Sequence, residues 1–274
     1  MAVPHASPRA RIRSWLRWES VNPRYPRAVK LAKQYLRWSR TEKFDVRLRY
    51  NAGRRLLSKH LGTPSGSERI LDVGCGPLGL AHFMPGEFVG VDVQFPELPG
   101  ISPHRPSQRV KGSIIHLPFR DGSFGIVSSM DTLEHLPRDA RPDAVREMFR
   151  VASRIVLLGV PYGRTAEDHD RWALERERRA GTVPDWRLEH VANGLPGQEL
   201  DSVVAECAAA KRAVLVESKG HENIRLLRLR WKVGMSITPG NLAYGLVMST
   251  LNVVSRMTNV GRCYRRIYCV VLAS

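Results

Sequence analysis

The chain has 274 residues, 43% of them hydrophobic and 25% charged, with a formal net charge of +17. This is the composition of a globular protein with one domain and additions, or at most two domains. No run of about 18 or more apolar residues is present, which excludes a plain membrane-spanning helix, and the N-terminus lacks the apolar stretch and small-residue cleavage site of a secretory signal.

Pro23 and Pro26 break the chain before a helix-like pattern over Ala28–His60. The Gly62–Ser67 stretch reads as a linker. Short apolar runs then alternate with helical segments. Strands are expected at Arg69–Val73, Glu87–Val93, Val110–Ile115, Phe124–Met130, Arg154–Val160, Ala213–Glu217 and Arg266–Ala273. Helices are expected at Arg138–Val151 and Gln198–Ala210. Strands alternating with helices imply an α/β fold around a mostly parallel sheet covered on both faces. The polar stretch 163–197 and the partly apolar stretch 235–262 read as insertions, so the expected division is a basic helical extension over 1–62 and an α/β domain over 63–274.

The charge is uneven. Residues 1–60 carry 16 Lys/Arg against 3 Asp/Glu, and residues 219–274 carry 9 against 1, whereas the body between them is slightly acidic. Basic ends attract polyanions, either nucleic acid or an anionic membrane surface. Ile12, Trp15 and Leu16, then Tyr35, Leu36 and Trp38, are interleaved with these cations. Such a segment can lie on a membrane, stack on bases, or simply cover the domain. An Arg-rich organelle transit peptide is a further, weaker reading. The four cysteines, Cys75, Cys207, Cys263 and Cys269, form no C-x-x-C pair and do not lie beside histidines at zinc spacing. Reduced thiols in a cytoplasmic protein and no bound metal are therefore expected.

The strand Ile70-Leu71-Asp72-Val73 runs directly into Gly74-Cys75-Gly76-Pro77-Leu78-Gly79. Glycines allow a sharp turn and close approach to a ligand. Asp92, at the end of the next strand, lies where a carboxylate can accept hydrogen bonds from a ribose diol. The loop opens on an acid, Asp72, which suits a cationic ligand better than a pyrophosphate.

These segments resemble the class I S-adenosylmethionine-dependent methyltransferases, in the branch called methyltransferase type 11. ILDVGCGPLGLA resembles their first motif, FVGVDV the second, and GSIIHLPFRDGSFGIVSSMDTLEHLP the third and fourth. The resemblance implies a Rossmann-like fold with a seven-stranded sheet whose last strand is antiparallel, and S-adenosylmethionine as cofactor. It implies that Asp72 and the backbone of Gly74 and Gly76 border the methionine part and that Asp92 binds the ribose. Ser113 meets the adenine amino group and Ile114 packs on the ring, with Cys75, Val93 and Met130 completing the lining. Two positions depart from the pattern: Ser113 replaces a usual Asp, and Gly125 stands where the family reads Phe-Asp.

Methyl transfer needs alignment above all, and a base only for a poorly acidic hydroxyl. His135 and Asp131, after the fourth strand, are the catalytic candidates, His135 as base and Asp131 facing the methionine amino group. The alternative is that Glu134 and His135 cap or pack under the loop. Tyr162, His169 and His190 are candidates for the acceptor pocket, and the Glu-His-x-x-x-Gly-Leu-Pro stretch is weakly similar to methyltransferases of cell-surface sugar pathways. No Asn/Asp-Pro-Pro-Tyr turn follows the fourth strand, which argues against methylation of base amines. The expected acceptor is a small or lipid- or sugar-linked molecule, methylated at oxygen. An RNA methyltransferase using the basic ends and a non-catalytic cofactor binder are the alternatives.

Overall fold

The computed structural model describes residues 44–61, 68–76, 79–95, 108–236, 250, 254 and 259–273. Most of the basic N-terminal segment and most of the 237–258 segment therefore lie outside the described residues. The elements in chain order are α1 (Phe44–Leu61), β1 (Arg69–Val73), β2 (Glu87–Asp92), β3 (Gln108–Lys111), β4 (Phe124–Met130), α2 (Arg141–Val151), β5 (Ala152–Pro161), α3 (Gly163–Ala180), α4 (Asp185–Asn193), α5 (Gln198–Ala210), β6 (Leu215–Asn223), α6 (Ile224–Ser236) and β7 (Cys263–Val271).

The seven strands form one sheet in the order β3-β2-β1-β4-β5-β7-β6. Strands β1 to β5 pair in parallel, and β7 runs antiparallel to both β5 and β6. The strand order reverses between β1 and β4, which opens the ligand crevice of such sheets at the carboxyl ends of these two strands.

The central strands are apolar on both faces because both faces are covered. Leu71, Val89, Val127, Val156 and Val270 point toward α2 and α5, with Ala144, Val145, Met148, Leu200 and Val204 packed against them. Ile70, Phe88, Ile126, Ile155 and Ile267 point the other way, onto Val46, Tyr50, Leu56 and Leu57 of α1. Helix α1 is thus part of the packing of the sheet.

The edge strands differ most from expectation. Strand β3 ends at Lys111, and Ser113 instead makes an isolated bridge with His116. Strand β6 continues six residues past Glu217, through a polar run held by pairing with β7. The polar 163–197 stretch folds as α3 and α4. At Gly125 an added Cβ would lie 2.2 Å from Glu68 Oε2. The missing Asp of the fourth motif thus makes room for the side chain of Glu68.

Candidate active site

The site is built from the carboxyl ends of β1, β2 and β4. Asp72 is buried between Gly90 of β2 and Ser128 of β4. Its Oδ1 accepts the Ser128 hydroxyl at 2.6 Å and its Oδ2 accepts the Leu80 amide at 2.6 Å. Burial pushes this carboxyl up to about 6 against those two stabilising bonds. Asp72 therefore braces the turn after the glycine loop, and a Cβ at Gly79 would lie 2.3 Å from its Oδ2.

The loop amides are held by β2. Gly74 and Cys75 both donate to the Val91 carbonyl, at 2.7 and 3.3 Å. Gly76 donates to Asp92 Oδ2 at 2.8 Å, and Asp92 Oδ1 accepts the Gln94 amide at 3.1 Å. Each Asp92 oxygen keeps a lone pair for a further donor, and the residue is half-buried at the strand end. Gly74 has φ +68, and a Cβ there would meet Thr132 Oγ1 at 2.2 Å, whereas a Cβ at Gly76, φ +52, meets nothing within 4 Å. The loop is therefore packed on the β4 end at Gly74 and open at Gly76.

The remaining predicted cofactor residues divide by burial. Val93 is exposed, Ser113 half-buried and Cys75 buried, its thiol pushed up by burial. Ile114 is buried in the core beside Val91 and Leu117. Met130 turns into the core beneath α1, where its Cε would lie 2.5 Å from a Cβ at Gly159.

Beyond β4 the chain passes through Asp131 and Thr132 into a turn at Leu133–His135. Asp131 has φ 54, an uncommon conformation for a non-glycine residue. Two arginines hold it there: Arg49 at 2.7 Å, and Arg265 at 2.8 and 2.9 Å from Nε. They keep its carboxyl far below the usual range despite burial. Arg265 continues to Glu222, and Glu222 to Arg230, so buried charges alternate across the end of β7.

Glu134, three residues on, has the opposite surroundings. It is fully buried and neither carboxylate oxygen has a hydrogen-bond partner among the described residues. Burial and the nearby Asp131 charge push it well above the usual range. Helix α4 brings His190 to it, with Nε2 3.9 Å from Glu134 Oε1. The other ring nitrogen of His190 lies 2.8 Å from Asp170 Oδ2. Asp170 is itself held by Arg187 and by the Tyr264 hydroxyl. His135 stands against His190 with ring centroids 4.9 Å apart, and its Nδ1 lies 2.6 Å from Glu189 Oε2. Arg141 and Asn193 stitch this arrangement together. Arg141 donates to Leu133, Leu136, Asn193 and Gly194 carbonyls, and Asn193 donates to the His135 carbonyl.

Of the predicted acceptor residues, His190 joins His135, whereas His169 and Tyr162 are placed elsewhere. His169 is buried, stacked on Trp172 and edge-on to Tyr264, and burial pulls it down to about 3. Tyr162 donates to Asp201 with the Arg266 guanidinium over its ring. The sequence gives Glu134 a place after the fourth strand, capping or packing under the loop, and gives Asp170 no role. The sole signal for Asp170 was its place beside His169 in the polar insertion.

Residues 71–155 match the family of methyltransferase domains called type 11. No curated protein sequence matches the chain significantly. Among solved structures, phosphoethanolamine N-methyltransferase 2 of Haemonchus contortus, in complex with phosphomonomethylethanolamine and S-adenosylhomocysteine, superposes with a TM-score of 0.51 at 15% identity. The match covers 82% of this chain and 53% of that one, so this chain spans about half the length of that relative. A methyltransferase from Archaeoglobus fulgidus superposes with a TM-score of 0.48 at 14% identity, covering 83% and 97% of the two chains. The sheet order, the glycine loop and the acid ending β2 define a Rossmann-like nucleotide-binding fold. The matched family narrows it further: residues 71–155 match a methyltransferase domain of the S-adenosylmethionine-dependent type 11 family. Among the described residues no helix is long and apolar enough to cross a membrane.

Proposed function

We propose that the protein transfers the methyl group of S-adenosylmethionine to an oxygen of a small, lipid-linked or sugar-containing acceptor by direct displacement. The observation that carries this reading is the His135–His190 pair, each ring backed by a carboxylate, beside the β4 turn that packs on Gly74. An amine attacks a sulfonium methyl without help, whereas a hydroxyl gains from a positioned proton acceptor, and such assistance is worth about 10²–10⁴-fold. In this reading Asp92 takes the ribose diol and the Gly74–Gly76 backbone borders the methionine end. Cys75, Val93, Ser113 and Ile114 line the rest. Asp72 and Met130 act from behind, through the turn and the strand end they support. Asp131, committed to two arginines, sets the turn that presents His135.

The basic ends support peripheral contact with an anionic membrane, in a cytoplasmic protein. The +13 balance of residues 1–60 also favours a second reading, an RNA methyltransferase that grips phosphates with this segment. A methyl-transfer assay with labelled cofactor over lipid, glycan, RNA and protein fractions separates the two. Base-stable methyl-ether label in the lipid or glycan fraction is expected, and label confined to RNA overturns the first reading. No heat of binding at millimolar S-adenosylmethionine would favour a non-catalytic protein over both.

A further inference from the structure

The geometry points to a site for one divalent transition-metal ion, of the zinc class, formed by Glu134, His135 and His190. This inference rests on the oxygen-acceptor reading above and assigns that site its means of activating the hydroxyl.

One ligand atom from each of the three residues lies within 4.8 Å of the others. Two imidazoles and one carboxylate form the donor set of open catalytic zinc sites, which keep a fourth position for water or substrate. Imidazole nitrogen selects for zinc-like ions over magnesium or calcium. The 3.9 Å between Glu134 Oε1 and His190 Nε2 is too long for a hydrogen bond. It is close to the span of two ligands on one ion at bond lengths of about 2.0–2.2 Å.

Three independent features support a built site. Both oxygens of the fully buried Glu134, and the inner nitrogen of the buried His190, have no hydrogen-bond partner among the described residues. A buried carboxylate left without partners is costly, and a cation between these groups would satisfy all of them at once. His190 has Asp170 on its outer nitrogen and His135 has Glu189 on Nδ1. Carboxylates behind ligating imidazoles fix the ring and leave the opposite nitrogen's lone pair for the metal. Finally, Asp131 is drawn away by Arg49 and Arg265, so the acid that precedes the cluster does not compete for the ion.

An ion here lowers the pKa of a bound hydroxyl. The acceptor O–H then loses its proton to solvent. The oxygen lone pair bonds to the methyl carbon as the carbon–sulfonium bond breaks, releasing S-adenosylhomocysteine. In this scheme the ion takes over activation of the hydroxyl from direct proton acceptance by the His135–His190 pair: both rings are ligands, and Glu134 supplies the charge.

The test is calorimetric titration of zinc into the chelator-stripped full chain, with cobalt as a second probe read by its visible d–d absorption. One ion per chain is expected. Glu134→Gln and His135→Asn should each weaken zinc binding at least tenfold and remove the cobalt band, with circular dichroism unchanged. Glu189→Gln, at an exposed position, should weaken binding about 10–100-fold or less, as outer partners do. Zinc uptake that is absent, or equal in wild type and both ligand variants, overturns the site. Hydroxyl methylation undiminished in stripped protein also sinks the site and leaves the oxygen reading standing. A bound ion in a protein that methylates only amines sinks the oxygen reading and leaves the site standing.

Discussion

Asp131 and Glu134 are three residues apart on one turn, both buried, and their surroundings are opposite. Asp131 faces Arg49 and Arg265 and continues into a ladder of alternating charges with Glu222 and Arg230. Glu134 faces two histidines and, among the described residues, no cation within salt-bridge distance other than His190. A compensated buried carboxylate is framework, because its charge is already spent on holding a strained backbone in place. An uncompensated one costs stability, and that cost marks a place where chemistry or a ligand is served. In the proposed mechanism the β7 side of the turn is scaffold and the α4 side is the reactive side.

Breaking the scaffold side should have the largest effect. Asp131→Ala leaves two guanidinium groups without their shared acid, and loss of one partner of a buried pair costs about 3–5 kcal/mol. Denaturant unfolding should show this as a lower midpoint at unchanged slope; a change under about 1 kcal/mol would return Asp131 to the candidates for ligand contact. Gly74→Ala tests the junction between the glycine loop and the turn. Its positive φ and the 2.2 Å approach to Thr132 should cost about 1–3 kcal/mol as strain at such a position. Weaker S-adenosylmethionine binding should accompany it, read by calorimetry.

The reactive side should respond the other way. Glu134→Gln replaces a buried carboxyl whose oxygens the fold leaves without partners, so stability in metal-free buffer should stay level or rise by about 1 kcal/mol. Methyl transfer should fall at least tenfold in the same protein. A stability loss like that of Asp131→Ala would erase the distinction between the two acids.

The smallest effect concerns pH. His221 is buried beside Arg265, Arg55 and Arg230, with Asp131 the opposing charge, and burial together with the arginines pulls it down to about 3. The neutral ring is favoured in the fold, so its contribution is complete above its ordinary value near 6.5. It is lost as pH falls from there toward 3. Within that window the folding constant should drop up to about tenfold per pH unit from this residue. His221→Gln should flatten that part of the stability profile without moving it near pH 8.

Much of the fold is legible in the chain itself. Strands β1, β4 and β5 lie in the middle of the sheet, covered on both faces, so they read as unbroken apolar runs and their positions are recovered almost to the residue. The polar edges β3 and β6 carry no such signal. Pairing with a neighbour, and not their own pattern, sets where they end. Helix α3 was hidden because its inward face carries His169, Asp170 and Glu177 among Ala166, Ala173 and Leu174, and buried charges obscure a helical period.

By itself, the sequence determined the glycine loop, the acid ending β2 and the order of strands that opens a crevice above them. These follow from local chemistry: glycine's freedom, apolar alternation and short spacing along the chain. It also put His135 and His190 forward, without showing that they meet. Only the tertiary structure decided which acids are compensated. Arg265 reaches Asp131 across 134 residues and His190 reaches Glu134 across 56, and the charge state of a buried carboxylate depends on which groups the packed fold brings near it.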